Sequence, residues 1–550
     1  MSYTNRLHEE MISLSNELSD SYDLTASCIS SSESLNCLKK SNSCDCLLVL
    51  KDYDKGIRYD HRKINKKTDI AFLLVDKELF EIDVKKGKIG DFIAGRLLTP
   101  FSSLINPEYL LKMEQVFKKR VIREEIESLI INYGELSRSI IIKPEYFVLA
   151  RLSKRARTFP PLRNYYSRIF DGNFDNTELN FIMKSFHSPV EDLVKKRVLK
   201  PYNGRFLLPH KLIDNIVSRR NEKKFVNLKE LSQASLYSYL YRSKAGLVDL
   251  ETISKELMYR MRSDFPKAIK KFEIEDPSNY LSLKVSDKEV SLDDRSSLLE
   301  ILKQISPRTE FEIAPLGGAL SEVYIVSTEN EKLVAKKFTD WYTFKWFALN
   351  IVALGVKTFY LSGRTRLENE LGINSYLSSK NIKVPSIIHV SLPKRILIRK
   401  FIDGMQLSEI VKENINKKNI SKDANENFIN LGEIFAKTHK LGVEFGDSKP
   451  ENFTIDNDNN IFAVDLEQSK KGGDFAWDIA ELLFYSGHYT ITPKEGLKQL
   501  TESFIEGYMS KGDVSHIRKA MSISYIRPFS LWATPQVISK IVEILHKSID

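Results

Sequence analysis

The chain has 550 residues, of which 42% are apolar and 28% charged, and 83 lysines and arginines against 73 aspartates and glutamates give a formal net charge of +10. That length excludes a single hydrophobic core and implies roughly three or four domains, and the composition is that of a soluble globular protein. Residues 1–20 are polar and acidic and the run 344–361 is broken by Lys345, Asn350 and Lys357, so no signal peptide or spanning segment is expected and the expected location is the cytoplasm.

Residues 1–110 alternate an N-terminal helix with short apolar strands at 46–50, 70–75 and 80–84, an α/β arrangement. The four cysteines, Cys28, Cys37, Cys44 and Cys46, fall here, but no nearby histidine completes a tetrahedral set, so buried thiols are expected rather than a metal site. The serine-rich stretch 30–34, the strand 43–49 and Asp83 within 80–84 stand where a nucleotidyltransferase has its turn, its metal strand and its third carboxylate. The region resembles that fold in degenerate form. The paired metal positions are Ser43 and Asp45 or Cys44 and Cys46 depending on alignment, so at least one carboxylate is missing and an inactive scaffold or binding module is implied.

From 111 to 290 the apolar period is helical, as over Pro107–Tyr133 and 228–241, and the stretch resembles the accessory domain that trails such a module. Basic and aromatic residues interleave at Arg151, Lys154, Arg155, Arg157, Phe159, Arg163, Tyr165, Tyr166 and Arg168, a pattern that suits RNA through its phosphates and unpaired bases and equally suits a solvated helix face. The polar stretch 273–294 is expected to be a linker.

A third domain is expected over 300–550, with an N-lobe to about 400 and a C-lobe from 401. Gly317 and Gly318 sit between two strand signals, where glycines admit backbone N–H groups close to phosphates. The following strand carries Lys336 and Lys337. Strand alternation allows one of them to face a cleft, alternative alignments choose differently, and Lys336 is favoured. The carboxylate that pairs with it is expected on the helix from 364, at Glu368 with Glu370 second.

The densest signal is Gly446-Asp447-Ser448-Lys449-Pro450-Glu451-Asn452, followed by Asp465 at the end of an apolar strand. One aspartate to orient an attacking hydroxyl, and an asparagine with a second aspartate to hold magnesium, is the requirement of kinase-type phosphoryl transfer. With Arg364-Thr365 and Glu368, Val384-Pro385, Phe401-Ile402-Asp403-Gly404 and Asp474-Phe475-Ala476-Trp477-Asp478, this ordered set resembles the atypical RIO-related serine/threonine kinases, nearest the small Bud-type kinase of the KEOPS complex, over about 300–490. The resemblance implies a two-lobed fold, a hinge at Phe401, Ile402 and Asp403 that bonds adenine, and Asp478 as a brace for the catalytic loop. Two positions depart from the family: Phe445 stands for the usual histidine, and Asp465-Leu466-Glu467 for the metal triplet, which adds a charge at Glu467. The short spacing from Asp465 to Asp478 leaves no room for a long activation segment.

The sequence therefore predicts a multidomain α/β plus α protein ending in an ATP- and Mg²⁺-dependent phosphotransferase. Asp447 and Lys449 serve the acceptor and the developing charge, Asn452 and Asp465 the metal, and Lys336 with Glu368 the phosphates. A protein acceptor is the first expectation. The alternatives are a small-molecule phosphotransferase of the aminoglycoside or choline kinase class, and an RNA-associated ATPase or switch without protein kinase activity.

Overall fold

A computed structural model describes residues 3–19, 22–30, 43–65, 68–158, 166, 176–218, 274–286, 288–307, 310–316, 321–329, 331–340, 357 and 359–549. The expected turn at 31–34, Cys37, the helix 228–241 and the glycines Gly317 and Gly318 lie outside them, as do Phe159, Arg163, Tyr165 and Arg168. The protein is mixed α/β and divides into two compact units. The first comprises Met1–Ile131, Ile142–Pro209 and Arg219–Leu281; the second comprises Asn132–Ile141, His210–Ser218 and Ser282–Asp550. No helix among the described residues is long and apolar enough to cross a membrane.

The first unit is built on a five-stranded sheet ordered Ile57–Asn65, Thr68–Asp76, Ser43–Leu50, Leu24–Ser30, Phe101–Ile105. Ser43–Leu50 runs parallel to Thr68–Asp76, and the other pairs described are antiparallel. Cys28 and Cys46 are free thiols buried in this sheet, and burial pushes the Cys28 thiol up to about 12, leaving both inert.

Residues 80–84 are not a strand. They lie in the helix Lys77–Lys86, which Asp76 caps by accepting from the Glu78 and Leu79 amides and which ends at Gly87. Asp83 is therefore not a third carboxylate on a neighbouring strand. Its fully buried carboxylate accepts four backbone amides, from Ile89 (3.1 Å) and Asp91 (3.2 Å) at Oδ1 and from Ile93 (3.0 Å) and Ala94 (2.9 Å) at Oδ2. Its lone pairs are spent on folding the loop 89–94.

The basic segment after 150 is likewise corrected. Arg151 is buried on the helix Glu145–Thr158 and pairs with Asp91 at 3.0 Å, with Glu125 at 2.9 Å and with Glu124. Arg155, also buried, donates to the carbonyls of Gly95 (2.8 Å) and Asp91 (3.0 Å) and to the Tyr166 hydroxyl (3.1 Å). These guanidiniums and the Tyr166 ring are interior groups that tie the Asp91 loop to two helices, so they are withdrawn from any RNA surface. Arg157 is exposed.

In the second unit the expected linker is structured. Leu281–Val285 and Lys288–Ser291 form an antiparallel hairpin because Leu281, Leu283 and Val285 alternate inward. A five-stranded antiparallel sheet follows, ordered Glu312–Pro315, Glu322–Ser327, Lys332–Lys337, Ile396–Lys400, Ile387–Ser391. Its apolar face, with Leu333, Ala335, Ile396 and Ile398, packs on the helix Leu298–Ile305, which starts in a Ser297–Glu300 capping box.

The helix Gly363–Ser378 is buried on nearly all sides rather than presenting a charged face to water. Gly372 permits this, because a Cβ there would lie 2.2 Å from the Glu135 carbonyl oxygen, so a side chain would push the 132–141 segment off the helix. Beyond residue 404 come the strands Gly404–Gln406, Phe453–Asp456 and Ile461–Ala463 in one sheet, and the helices Lys422–Lys440, Phe475–Ser486, Glu495–Met509 and Pro535–Ile549, which share one large apolar core.

Replacing Asp83 with alanine should leave four buried amides without an acceptor and destabilise the first unit by at least about 3 kcal/mol. Hydrogen exchange over residues 89–94 should rise sharply in Asp83→Ala while exchange in the helices after 422 stays unchanged. Unaltered protection at 89–94 would contradict this role.

Candidate functional site

Cross-strand pairing sets which side chains meet. Val334 lies opposite Arg399 and Lys336 opposite Leu397, so Val334, Lys336, Leu397 and Arg399 share the sheet face opposite the apolar one. Lys336 is buried there, and its ammonium lies 2.9 Å from each of three carboxylates, Glu370, Asp465 and Glu467. Burial opposes its charge, but Asp465, Glu370 and Glu467 outweigh it and hold the lysine above its usual range. Lys337, on the other face, is exposed and pairs with Glu322.

The helical partner is Glu370, not Glu368. Residues two apart point to nearly opposite sides of a helix, so only one can face the lysine. Glu368 turns away and pairs with Arg364 at 3.0 Å, one helical turn before it. Burial raises the Glu370 carboxyl to about 7, with Lys336 pulling it down.

Glu467 brings the extra negative charge expected from the sequence, and the structure supplies its counter-ion. Arg366, fully buried, donates to Glu467 at 2.9 Å, to the Ser321 hydroxyl at 3.0 Å and to the Thr339 carbonyl. Arg366 precedes Glu370 by one turn, and that spacing was the signal available in the sequence.

Glu370, Asp465 and Glu467 place one oxygen each within 4.8 Å of one another, a hard-donor set suited to a divalent cation. Of the three, Glu370 and Glu467 are closed in at 3% and 7% side-chain exposure, whereas Asp465 is 31% exposed. Asp465 is thus the carboxylate a metal could reach. Burial works to raise its pKa, but Lys336 wins and holds it below the usual range, so it is ionised.

Asp465 is joined to the loop of the Gly446-to-Asn452 motif. The amide of Val464 donates to the Asn452 carbonyl at 2.9 Å, and strand Phe453–Asp456 pairs with Ile461–Ala463. The Asn452 side chain donates its NH₂ to the Asp447 carbonyl at 2.9 Å, which leaves its amide oxygen as the acceptor end. Lys449 approaches Asp447 at 2.9 Å. Burial opposes the lysine's charge, while Asp447 and Glu481 more than compensate and raise it.

Two buried carboxylates brace this loop from the helix Phe475–Ser486. Asp478 accepts from the amides of Phe445 (2.7 Å) and Gly446 (2.8 Å) and meets His439 at 3.1 Å. Glu481 accepts from the Ser448 amide at 2.7 Å, the Ser448 hydroxyl at 3.2 Å and the Trp477 indole at 3.2 Å. Gly446 has φ +78°, and a Cβ there would sit 2.3 Å from the Gln468 carbonyl oxygen, so glycine is required. Phe445 packs between Phe435 and Phe453, an apolar plug in the core. Phe401 and Ile402 are half-buried and Asp403 is exposed, directly after strand Ile396–Lys400, with the Phe401 amide donating to the Lys332 carbonyl at 3.1 Å.

The sequence reading missed Glu370 as first partner, and also Arg366, Arg399, Glu481 and the buried pair Glu444–Lys357 (2.7 Å).

No family model matches the chain, and a search of the curated proteins finds no relative. Among solved structures it is similar to the complex of Rv3197 with erythromycin from Mycobacterium tuberculosis, at 14% identity, 44% coverage of this chain, 74% of that chain and a TM-score of 0.22.

Burial above all, and then Asp447, pushes the Glu481 carboxyl up to about 8 from 4.5. With the folded value raised, its contribution to stability is full below 4.5 and is lost as the pH rises through about 8. Glu481→Gln should therefore remove a slope of about 1.4 kcal/mol per pH unit from the stability profile across that window. Urea unfolding of both proteins at several pH values measures this, and parallel profiles would show that Glu481 is ionised in the folded state.

Proposed function

We propose that the second unit is a two-lobed, kinase-like phosphotransferase that moves the γ-phosphoryl group of a nucleoside triphosphate to a hydroxyl acceptor with Mg²⁺. ATP is the donor the sequence resemblance implies. The observation that carries the reading is the Lys336 ammonium held jointly by Glu370 of a helix and Asp465 of a strand end, with Asp465 hydrogen-bonded through its neighbour to the loop of Asp447 and Asn452. Phosphoryl transfer of this kind asks for little beyond positioning and charge.

In this reading Asp465 and the Asn452 amide oxygen would hold the magnesium ion, which would supply positive charge against the phosphates. Lys336 swings between Asp465 and the phosphates while Glu370 retains it. Asp447 orients the acceptor hydroxyl and Lys449 offsets the developing charge. The backbone of Phe401 to Asp403 receives the base, and Gly317 and Gly318 are assigned to the phosphates from sequence alone.

A protein acceptor follows from the family resemblance. The small-molecule alternative draws on a specific feature, the short stretch from Asp465 to Asp478. It is pinned by the Ser469 hydroxyl on the Phe445 carbonyl (2.7 Å) and by strand Lys470–Lys471 on Val443–Glu444, which offers no extended loop for a peptide. In the first unit, the engagement of Asp83 by four amides supports a module without nucleotidyl transfer.

Asp465→Ala should abolish Mg²⁺-dependent turnover of γ-labelled nucleotide, by roughly a thousandfold or more, with the fold retained. Glu370→Gln should lose at least about tenfold and Glu368→Gln little. Radiolabel transfer to added protein or to a metabolite panel identifies the acceptor class. Undiminished turnover in Asp465→Ala would overturn the proposed reaction.

A further inference from the structure

The helix Gly363–Ser378 has two working faces. Arg366 and Glu370, one turn apart, look inward and reach Glu467 and Lys336. Gly372 follows Glu370 by two residues and so lies nearly opposite it, and Tyr376 stands one turn beyond Gly372 on that same outer face. What covers the outer face comes from elsewhere in the chain. Asn132–Ile141 and His210–Ser218 belong to the second unit, although they precede Ser282 and fall outside the stretch that resembles a kinase.

The cover is close and polar. The turn Gly134–Arg138 meets the helix where a Cβ on Gly372 would lie 2.2 Å from the Glu135 carbonyl oxygen. The buried Arg138 guanidinium sits 5.0 Å from the centre of the Tyr376 ring and pairs with Glu135 (2.7 Å) and Asp214 (2.6 Å). His210, one turn before Asp214 on the helix His210–Val217, meets the same ring edge-on at 5.1 Å. Lys471, in the segment after Asp465, donates to the Tyr376 hydroxyl at 3.0 Å and to the Leu441 carbonyl, and lies 3.7 Å from Asp214. Packing on the outer face fixes the roll of the helix, and the roll decides whether Glu370 faces Lys336.

We propose that residues 132–141 and 210–218 form a clamp that seats this helix, with Arg138 and Tyr376 as positioning residues for the Lys336–Glu370 pair. The seating stands on geometry alone; its consequence for turnover rests on the phosphotransferase reading above. Control of the site then lies with the clamp, because drawing 132–141 away lets Glu370 roll off Lys336.

Gly372→Ala is the test variant, since alanine is the better helix former and the helix keeps its own stability while the clamp is pushed off. In the full chain, hydrogen exchange over 132–141 should rise while the helices after 422 stay protected, and Arg138→Met should act in the same direction. Acetic anhydride, read by mass spectrometry, should modify Lys336 roughly tenfold faster in both variants, because losing one carboxylate partner frees more of the neutral amine. Turnover of γ-labelled ATP with Mg²⁺ should fall by about tenfold in Gly372→Ala, yet fall no further when Glu370→Gln is already present, because both changes act on one pair. Unchanged exchange at 132–141 in both variants overturns the contact. Unchanged Lys336 modification in a variant whose 132–141 exchange has risen, or fully additive losses of turnover, overturns the clamp. Absence of turnover in the unaltered chain refutes the phosphotransferase reading instead, and the Lys336 modification rates then decide the clamp by themselves.

Discussion

A single buried ammonium organises the second unit. Lys336 comes from the middle of a sheet, Glu370 from a helix, and Asp465 and Glu467 from the segment after a strand, and all three carboxylates converge on it at 2.9 Å. Stripping such groups of water costs several kcal/mol per ion, which only close and complete pairing offsets. One lysine cannot balance three carboxylates. Arg366 takes the surplus of Glu467, and Arg399 adds a third positive charge facing Glu370 and Asp465. These ion pairs, together with apolar packing, tie sheet, helix and strand end to one another.

The loop that holds Asp447 and Asn452 depends on a second buried layer. Asp478 and Glu481, one turn apart on the same helix, each take a backbone amide from it. Burial raises the pKa of both carboxyls. Committed to the loop's backbone amides, both carboxyls serve as its scaffold. Asp447 and Asp465, at 22% and 31% side-chain exposure, are the more accessible carboxylates.

How much of this could be read from sequence follows from how local each feature is. The Gly446-to-Asn452 string is contiguous, and so its loop was legible; alternation along one strand said that only one of Lys336 and Lys337 could face the cleft, and the cross-strand register decides for the favoured Lys336. The choice between Glu368 and Glu370 turned on helical phase relative to a sheet 30 residues away, which spacing alone does not supply. Residues 80–84 read as a strand because Phe80, Ile82 and Val84 alternate, yet the Asp76 cap and Gly87 already framed a helix. The basic residues after 150 read as a surface because their acceptors, Asp91, Glu124 and Glu125, lie far back in the chain. Arginine is mostly exposed, and only tertiary pairing reveals the exceptions.

The segment between Asp465 and Asp478 shows what this arrangement does to control. Glu467 is tied to two cations, Gln468 exchanges hydrogen bonds with the Tyr360 backbone at 2.8 and 3.2 Å, Ser469 holds the Phe445 carbonyl, and Lys470–Lys471 pairs with Val443–Glu444. Almost every residue is fastened to a different part of the unit. Moving such a segment would break all of these contacts together, which disfavours a switch that needs two positions of comparable energy. The charged centre is therefore tied to its surroundings through this segment as well as through the sheet and the helix. Under the proposed reaction the lysine at the centre would exchange a carboxylate for a phosphate, so the surrounding carboxylates are what any entering ligand has to compete with.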